Sequence, residues 1–395
     1  MHERQVPDWI DSYLKFTDNT EPARVFRKWA AVSTIAACLQ RKVKLPWMST
    51  VYPNFYVCLV GPTGCRKSTA MGPCKDMLTE LGVRIAPQNI TREALIRYMK
   101  EANDSVVDSI TGESKAHCSV TVFSSELAVF VGYNNNQFIS TLTDIFDCEG
   151  DVWSYMTKNC GTDHVQGVYL NICGATTPSL MKMIMPIDTG VGGGLTGRMV
   201  LVYAHGKEKS VPFPFLSVTD MELRHKLIRD LEQMLLMRGT FRVSEDFLEL
   251  WEPWYVDEPI PFEDEYFRGY CERRALHSLK LSMIMSASRS NDMIIEGRDL
   301  QKAISALKEV EVKMPHVFAG FGRVDHSEMI PRISQLIARR KEIKYGMLLS
   351  HFMRDITKQE LDNVLVALKA SGLCRSEWRG QEEWLVYTPG KGEEQ

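Results

Sequence analysis

None of the ten cysteines forms a Cys-x-x-Cys pair, and none has a histidine at metal-ligand spacing. That excludes the usual zinc frameworks and leaves reduced core thiols in a cytoplasmic protein as the plain reading. No run of about 18 apolar residues occurs, so no helix is expected to span a membrane. The first residues, Met1 to Phe16, are charged and lack the apolar core of a secretory signal. Charge of neither sign dominates: 47 Lys and Arg stand against 50 Asp and Glu, a net charge of −3. A wholly basic nucleic-acid coat is thereby excluded, while a local basic channel is not. No carboxylate cluster of primase or nuclease type is visible, so priming would need a partner.

What the chain does have is one strongly patterned stretch, Phe55 to Leu81. An apolar run from Phe55 to Val60 meets Gly61-Pro62-Thr63-Gly64-Cys65-Arg66, then Lys67-Ser68-Thr69 opens a helix-compatible segment. Strand, glycine-rich turn and helix in that order make a phosphate loop. Glycines let backbone N–H groups turn toward an anion, and the new helix adds its free N–H groups and positive dipole end. Gly61 to Thr69 are therefore the expected ATP-binding residues. Lys67 would reach the β/γ-phosphates, and Ser68 would place a hydroxyl on Mg²⁺. The usual motif has glycine immediately before the lysine; here Arg66 stands, and its side chain must either point away from the phosphates or touch them. Cys65 reads as a small loop filler.

Further along, Ser119 to Phe123 reads as a strand ending near Glu126, where a carboxylate can polarise the attacking water and help hold the metal. Ser125 stands where an acidic residue often precedes such a glutamate, and a helix-capping role is the other reading of Glu126. Asp144 and Asp147 are candidates for a supporting acid, or else part of a solvated helix face. A second apolar strand from Val168 ends in hydroxyls; Thr176 is the candidate to sense the γ-phosphate or orient the water, Asn171 comes second, and capping of the next helix is the alternative. Between these strands, Trp153 to His164 is aromatic and polar and carries Lys158. It could face a central pore or cover the sheet. Gly190 to Gly197 reads as a flexible loop that opens no helix, leaving Arg198 free to reach the γ-phosphate of a neighbouring subunit's nucleotide. A local salt bridge is the alternative.

The coarse reading is an α/β chain of 395 residues in four parts. A helical collar occupies 1–50, a core of parallel strands 51–205, and a helical domain 206–324, after a linker at Pro212-Phe213-Pro214. A unit of three short helices and a hairpin follows over 325–395, a winged-helix-like pattern. Arg41 to Leu45 is expected as an edge segment with charges toward water, and Asp104 to Lys115 as a surface loop.

The stretches Tyr52 to Ser68, Gly174 to Pro178, Gly194 to Arg198 and Glu272 to Leu281 together resemble phage- and prophage-encoded P-loop ATPases of RecA/AAA-like type, the group of replicative helicases and primase-helicases. Members of that group often have Arg-Lys-Ser in the loop, as here. The resemblance implies a ring, such as a homo-hexamer, with nucleotide between subunits, single-stranded DNA in the pore and a primase or other replication partner. Lys67, Glu126, Thr176 and Arg198 would be its catalytic residues. Two other classes use the same residues: an ATPase switch that loads or remodels a protein, and a DNA-binding regulator that only senses nucleotide.

Overall fold

Apolar positions at helical spacing fold Trp9–Phe16 (α1) and Arg24–Leu39 (α2), within the stretch expected to be helical. The computed structural model describes residues 3–107, 112–157, 161–185, 191–257, 260–263, 265–318, 329–353, 357–380 and 382–388. Its contacts divide the chain into two units, Met1–Phe318 and Ala319–Gln395. The division expected between 324 and 325, and Lys158, lie outside the described residues.

Six strands build the main sheet of the first unit: β1 Tyr56–Val60, β2 Ile85–Ala86, β3 Asn103–Val107, β4 Ser114–Ser124, β5 Val168–Thr176 and β6 Met199–Tyr203. Five are parallel, in the order β6-β1-β5-β4-β2, and β3 pairs antiparallel with β4. Every residue of β1, β5 and β6 is buried, as expected of parallel strands covered on both faces. Between the strands come α3 (Lys67–Glu80), α4 (Arg92–Glu101), α5 (Leu127–Val131), α6 (Asn136–Ile145), α7 (Pro178–Ile184) and α8 (Val191–Arg198). Thr91 caps α4 by accepting from Ala94 N at 3.2 Å. Residues Val152–Thr157 and Gly161–Gln166 pair as a separate hairpin.

Four helices follow: α9 (Val218–Leu236), α10 (Glu245–Val256), α11 (Arg268–Arg289) and α12 (Gly297–Glu311). Polar groups buried along α11 tie this part to the sheet. Lys280 Nζ donates to Asn54 Oδ1 at 2.6 Å, just before β1, and the buried Arg274 guanidinium meets Glu311 of α12 at 2.6 Å. The second unit has three helices, α13 (Met329–Arg340), α14 (Tyr345–Phe352) and α15 (Lys358–Ala370), and a three-stranded antiparallel sheet with Glu382–Tyr387 at its centre. Ile333, Ile337, Leu348, Leu361 and Leu385 close its core.

Three local expectations are corrected. The polar stretch expected as a loop from Asp104 to Lys115 supplies β3 and the start of β4; Val106 and Val107 alternate well enough to pair although the strand is mostly exposed. Arg41 does not face water. Its guanidinium is buried and donates to the carbonyls of Cys148 (2.8 Å), Val168 (2.8 Å) and Gly150 (2.6 Å), and Val43–Pro46 is paired on both sides. The glycine run is helical over Val191–Arg198. Its glycines serve close packing: a Cβ on Gly197 would lie 2.6 Å from Gly269 O, and one on Gly194 would lie 3.0 Å from Thr143 Cγ2.

Candidate functional site

β1 runs out at Val60 one strand in from the edge of the sheet, between β6 and β5, the last two strands in sequence. This is the point where strand order reverses and where open α/β sheets bind ligands at the carboxyl ends of their strands. Gly61 begins the loop, donating its N–H to Thr176 O at 3.3 Å. No larger residue fits, because a Cβ there would stand 2.5 Å from Ala204 O. Gly64 takes φ +89° and Arg66 φ +60°, a left-handed conformation that explains the glycine usual at the second position. For an arginine the conformation costs roughly 1 kcal/mol.

The side chain at that position points to Glu21, which accepts from Arg66 Nε at 2.6 Å, from Lys207 Nζ at 2.9 Å and from Val211 N at 3.2 Å. Lys207 first, then Arg66 and the Val211 amide, hold the Glu21 carboxyl down at about 2. Arg66 is thus drawn off the loop, and no side chain caps the first turn of α3, so its N–H groups stay directed at the loop. Lys67 Nζ donates to Gly61 O (2.6 Å) and Pro62 O (3.0 Å). Burial lowers its proton affinity, and the nearby Cys65 and Glu126 partly oppose that. Ser68 and Thr69 are exposed beside it. Cys65 is buried against Ala204 O, and burial raises its thiol, so it is the small filler expected.

Glu126 and Thr176 come together at the same edge. The register pairs Val60 with Thr176 and Ser124 with Gly174, which aligns three strand ends. Thr176 Oγ1 donates to Glu126 Oε1 at 2.6 Å, and the same oxygen caps α5 by accepting from Ala128 N at 3.3 Å. Oε2 is left without a protein partner among the described residues. Ser125 donates its amide and hydroxyl to Gln88 Oε1, at 3.0 and 2.7 Å. Sequence reasoning missed both Gln88 and Glu21, for nothing local marks a residue that enters the site from a distant loop. Among the described residues no three acidic, cysteine or histidine side chains form a metal cluster. One hydroxyl, Ser68, and one carboxylate oxygen, Glu126 Oε2, still suit a magnesium ion that takes its remaining ligands from phosphate and water.

The other candidates lie elsewhere. Arg198 ends α8, directly before β6, at the amino end of a strand whose carboxyl end touches the loop. The length of β6, roughly 17 Å, separates it from Gly61. It donates to Asp147 Oδ2 (2.6 Å) and Gly194 O (3.1 Å), and Asp147 also takes Arg273 at 2.9 Å. Asp144 accepts from Trp153 Nε1 at 2.7 Å. Asn171 lies within β5 and spends its amide on Ser33 and on the Phe55 N–H, so it does not reach the loop. Asp147, Arg273 and Lys280 line a cleft of about 480 Å³ with Tyr52 and Glu149. Burial there brings the Lys280 ammonium down to about 8.

No protein-family model matches the chain, and no curated protein matches it. The class established is an α/β protein with a mainly parallel sheet, its glycine loop at the sheet's switch point.

Proposed function

We propose that this protein is a RecA/AAA-like P-loop ATPase that drives movement along DNA, serving as a ring-forming translocase or helicase in replication of a phage or mobile element. The observation that carries the nucleotide site is Lys67. Its amine is folded onto the Gly61 and Pro62 carbonyls at the uncapped start of α3, with the Glu126–Thr176 pair at the neighbouring strand ends. In this reading the N–H groups of residues 64–68 cradle the phosphates and Lys67 turns from the carbonyls to the β/γ-phosphates of ATP. Ser68 and Glu126 would hold Mg²⁺, which when bound neutralises developing phosphate charge. Glu126 orients and deprotonates the attacking water, and Thr176 fixes the carboxylate. Arg198, too far to serve its own loop, supplies the cation of a neighbouring subunit's site.

Two features support a nucleic-acid track. The paired strands Val152–Thr157 and Gly161–Gln166 stack Trp153 on Tyr155 at 6.1 Å, set Arg92 over the Tyr155 ring at 5.1 Å and expose Met156. Stacking rings beside cations suit single strands. The second unit has the helix and sheet order of a winged helix. The deciding measurement is ATP hydrolysis with and without single-stranded DNA. Strong stimulation supports the motor; hydrolysis indifferent to DNA supports a protein-remodelling switch, and no hydrolysis with retained nucleotide binding supports a sensor.

A further inference from the structure

Between β6 and α9 the chain forms neither helix nor strand and runs Val211-Pro212-Phe213-Pro214-Phe215-Leu216-Ser217. Its large apolar side chains face solvent: Phe213 is 85% exposed, Phe215 68%, Leu216 53% and Val218 77%. Together they present roughly 500 Å² of apolar surface within six consecutive residues, at the upper end of what a monomer shows in one patch. The segment is not slack. Glu21 holds its start through Lys207 Nζ and Val211 N, and Asn19 Nδ2 donates to Phe215 O at 3.3 Å. Glu208 N donates to Glu21 O at 2.9 Å and its carboxylate takes Arg27 at 3.2 Å. The backbone is fixed, two prolines restrict it further, and the rings stay outside, so ordering costs little on binding.

We propose that Phe213–Val218 is a docking strap for a second copy of this chain, which seats on it the edge bearing its own Arg198. The choice of partner rests on the nucleotide-site reading above. The second oxygen of Glu21 binds Arg66 of the phosphate loop, so the chain two residues before the strap, at Val211, lies one side chain away from that loop. Arg198 lies at the opposite end of β6, so a site that needs it is complete only when another copy approaches the loop, and that approach meets the strap. The apolar area is well over half of the ~800 Å² that each partner contributes to a standard interface.

The test uses the full chain and the double variant Phe213→Ser, Phe215→Ser, by sedimentation velocity over a concentration series with a slowly hydrolysed ATP analogue and Mg²⁺. Wild type is expected to self-associate, and the variant to need at least tenfold more protein. Its melting curve, and its affinity for a fluorescent ATP analogue at monomer concentrations, should stay those of wild type. A photo-cross-linking p-benzoylphenylalanine in place of Phe215 should join two copies, with adducts on peptides containing Asp147 or Arg198. Equal association of variant and wild type, a wild type that stays monomeric throughout, or cross-links confined to one chain overturns the proposal. Assembly that depends on both phenylalanines in a protein that binds no nucleotide supports the strap and rejects the nucleotide reading.

Discussion

Replacing Lys67 with alanine separates two contributions of one amine. Its Nζ holds the Gly61 and Pro62 carbonyls at 2.6 and 3.0 Å, and the side chain is half-buried. Hydrogen bonds to a charged group are worth about 1.5–3 kcal/mol each when shielded, and solvent at a half-exposed site removes most of that, so the stability cost is on the order of 1 kcal/mol. In a unit of this size that moves the melting temperature by about 2 °C. Phosphate oxygens would gain more from the same amine, because an adjacent anion offsets the burial that lowers its proton affinity. Two charge-assisted contacts, less the two carbonyl contacts surrendered, leave roughly 2–4 kcal/mol, or about 30- to 1,000-fold in affinity. Equilibrium titration with a fluorescent ATP analogue and Mg²⁺, run beside a thermal melt, reads both quantities. A dissociation constant within threefold of wild type, with unchanged turnover, would refute the assignment of Lys67 and with it the nucleotide site.

The other predictions concern the remaining groups. Glu126→Gln keeps an acceptor for Thr176 Oγ1 but no base, so nucleotide affinity should persist while single-turnover hydrolysis falls by about 10² or more; a normal rate would move the base elsewhere. Mixing Arg198→Ala with Lys67→Ala subunits should restore part of the activity that each lacks, because one interface then joins an intact lysine to an intact arginine. Mixtures no more active than either variant, with a wild-type rate per subunit flat on dilution, would make Arg198 a local residue bound to Asp147. Burial depresses His277 to about 3 and His117 to about 4. Both are neutral in the fold and charge in the unfolded chain, so their contribution is intact above pH 6.5 and is lost as pH falls from there toward 4 and 3. Each should cost about 2 kcal/mol by pH 5. Denaturant midpoints at pH 7 and 5 test this against His277→Gln, whose amide can still donate to Gly197 O; an equally steep loss in the variant would rule out His277 as a source.

The strand, glycine loop and helix around Gly61 were legible because three local signals agree: a fully apolar strand, glycine at positions 61 and 64, and Lys67-Ser68 at a helix start. The helices of both units were legible for the same kind of reason, since apolar spacing survives whatever packs against it. The failures share a cause. Glycine reads identically whether it gives freedom or close approach, and it takes Thr143 and the distant Gly269 backbone to show that Gly194 and Gly197 serve close packing. Arg41 reads as a surface charge until three carbonyls from a distant turn and strand enclose it. Arg66 had two possible directions, and Glu21 decides between them from a loop that the motif does not include.

That decision has a consequence for how the molecule is organised. A glycine before Lys67 would make the loop independent of its surroundings. An arginine in the same left-handed conformation adds strain, and its attachment to Glu21 compensates by joining the loop to Lys207 and Val211. Any movement of Arg66 when the loop closes on an anion must therefore act on Glu21, and through it on the start of the apolar strap. Local departure from the motif and the exposed phenylalanines, which look unrelated in sequence, are linked through one carboxylate that also binds the Val211 amide, two residues before Phe213.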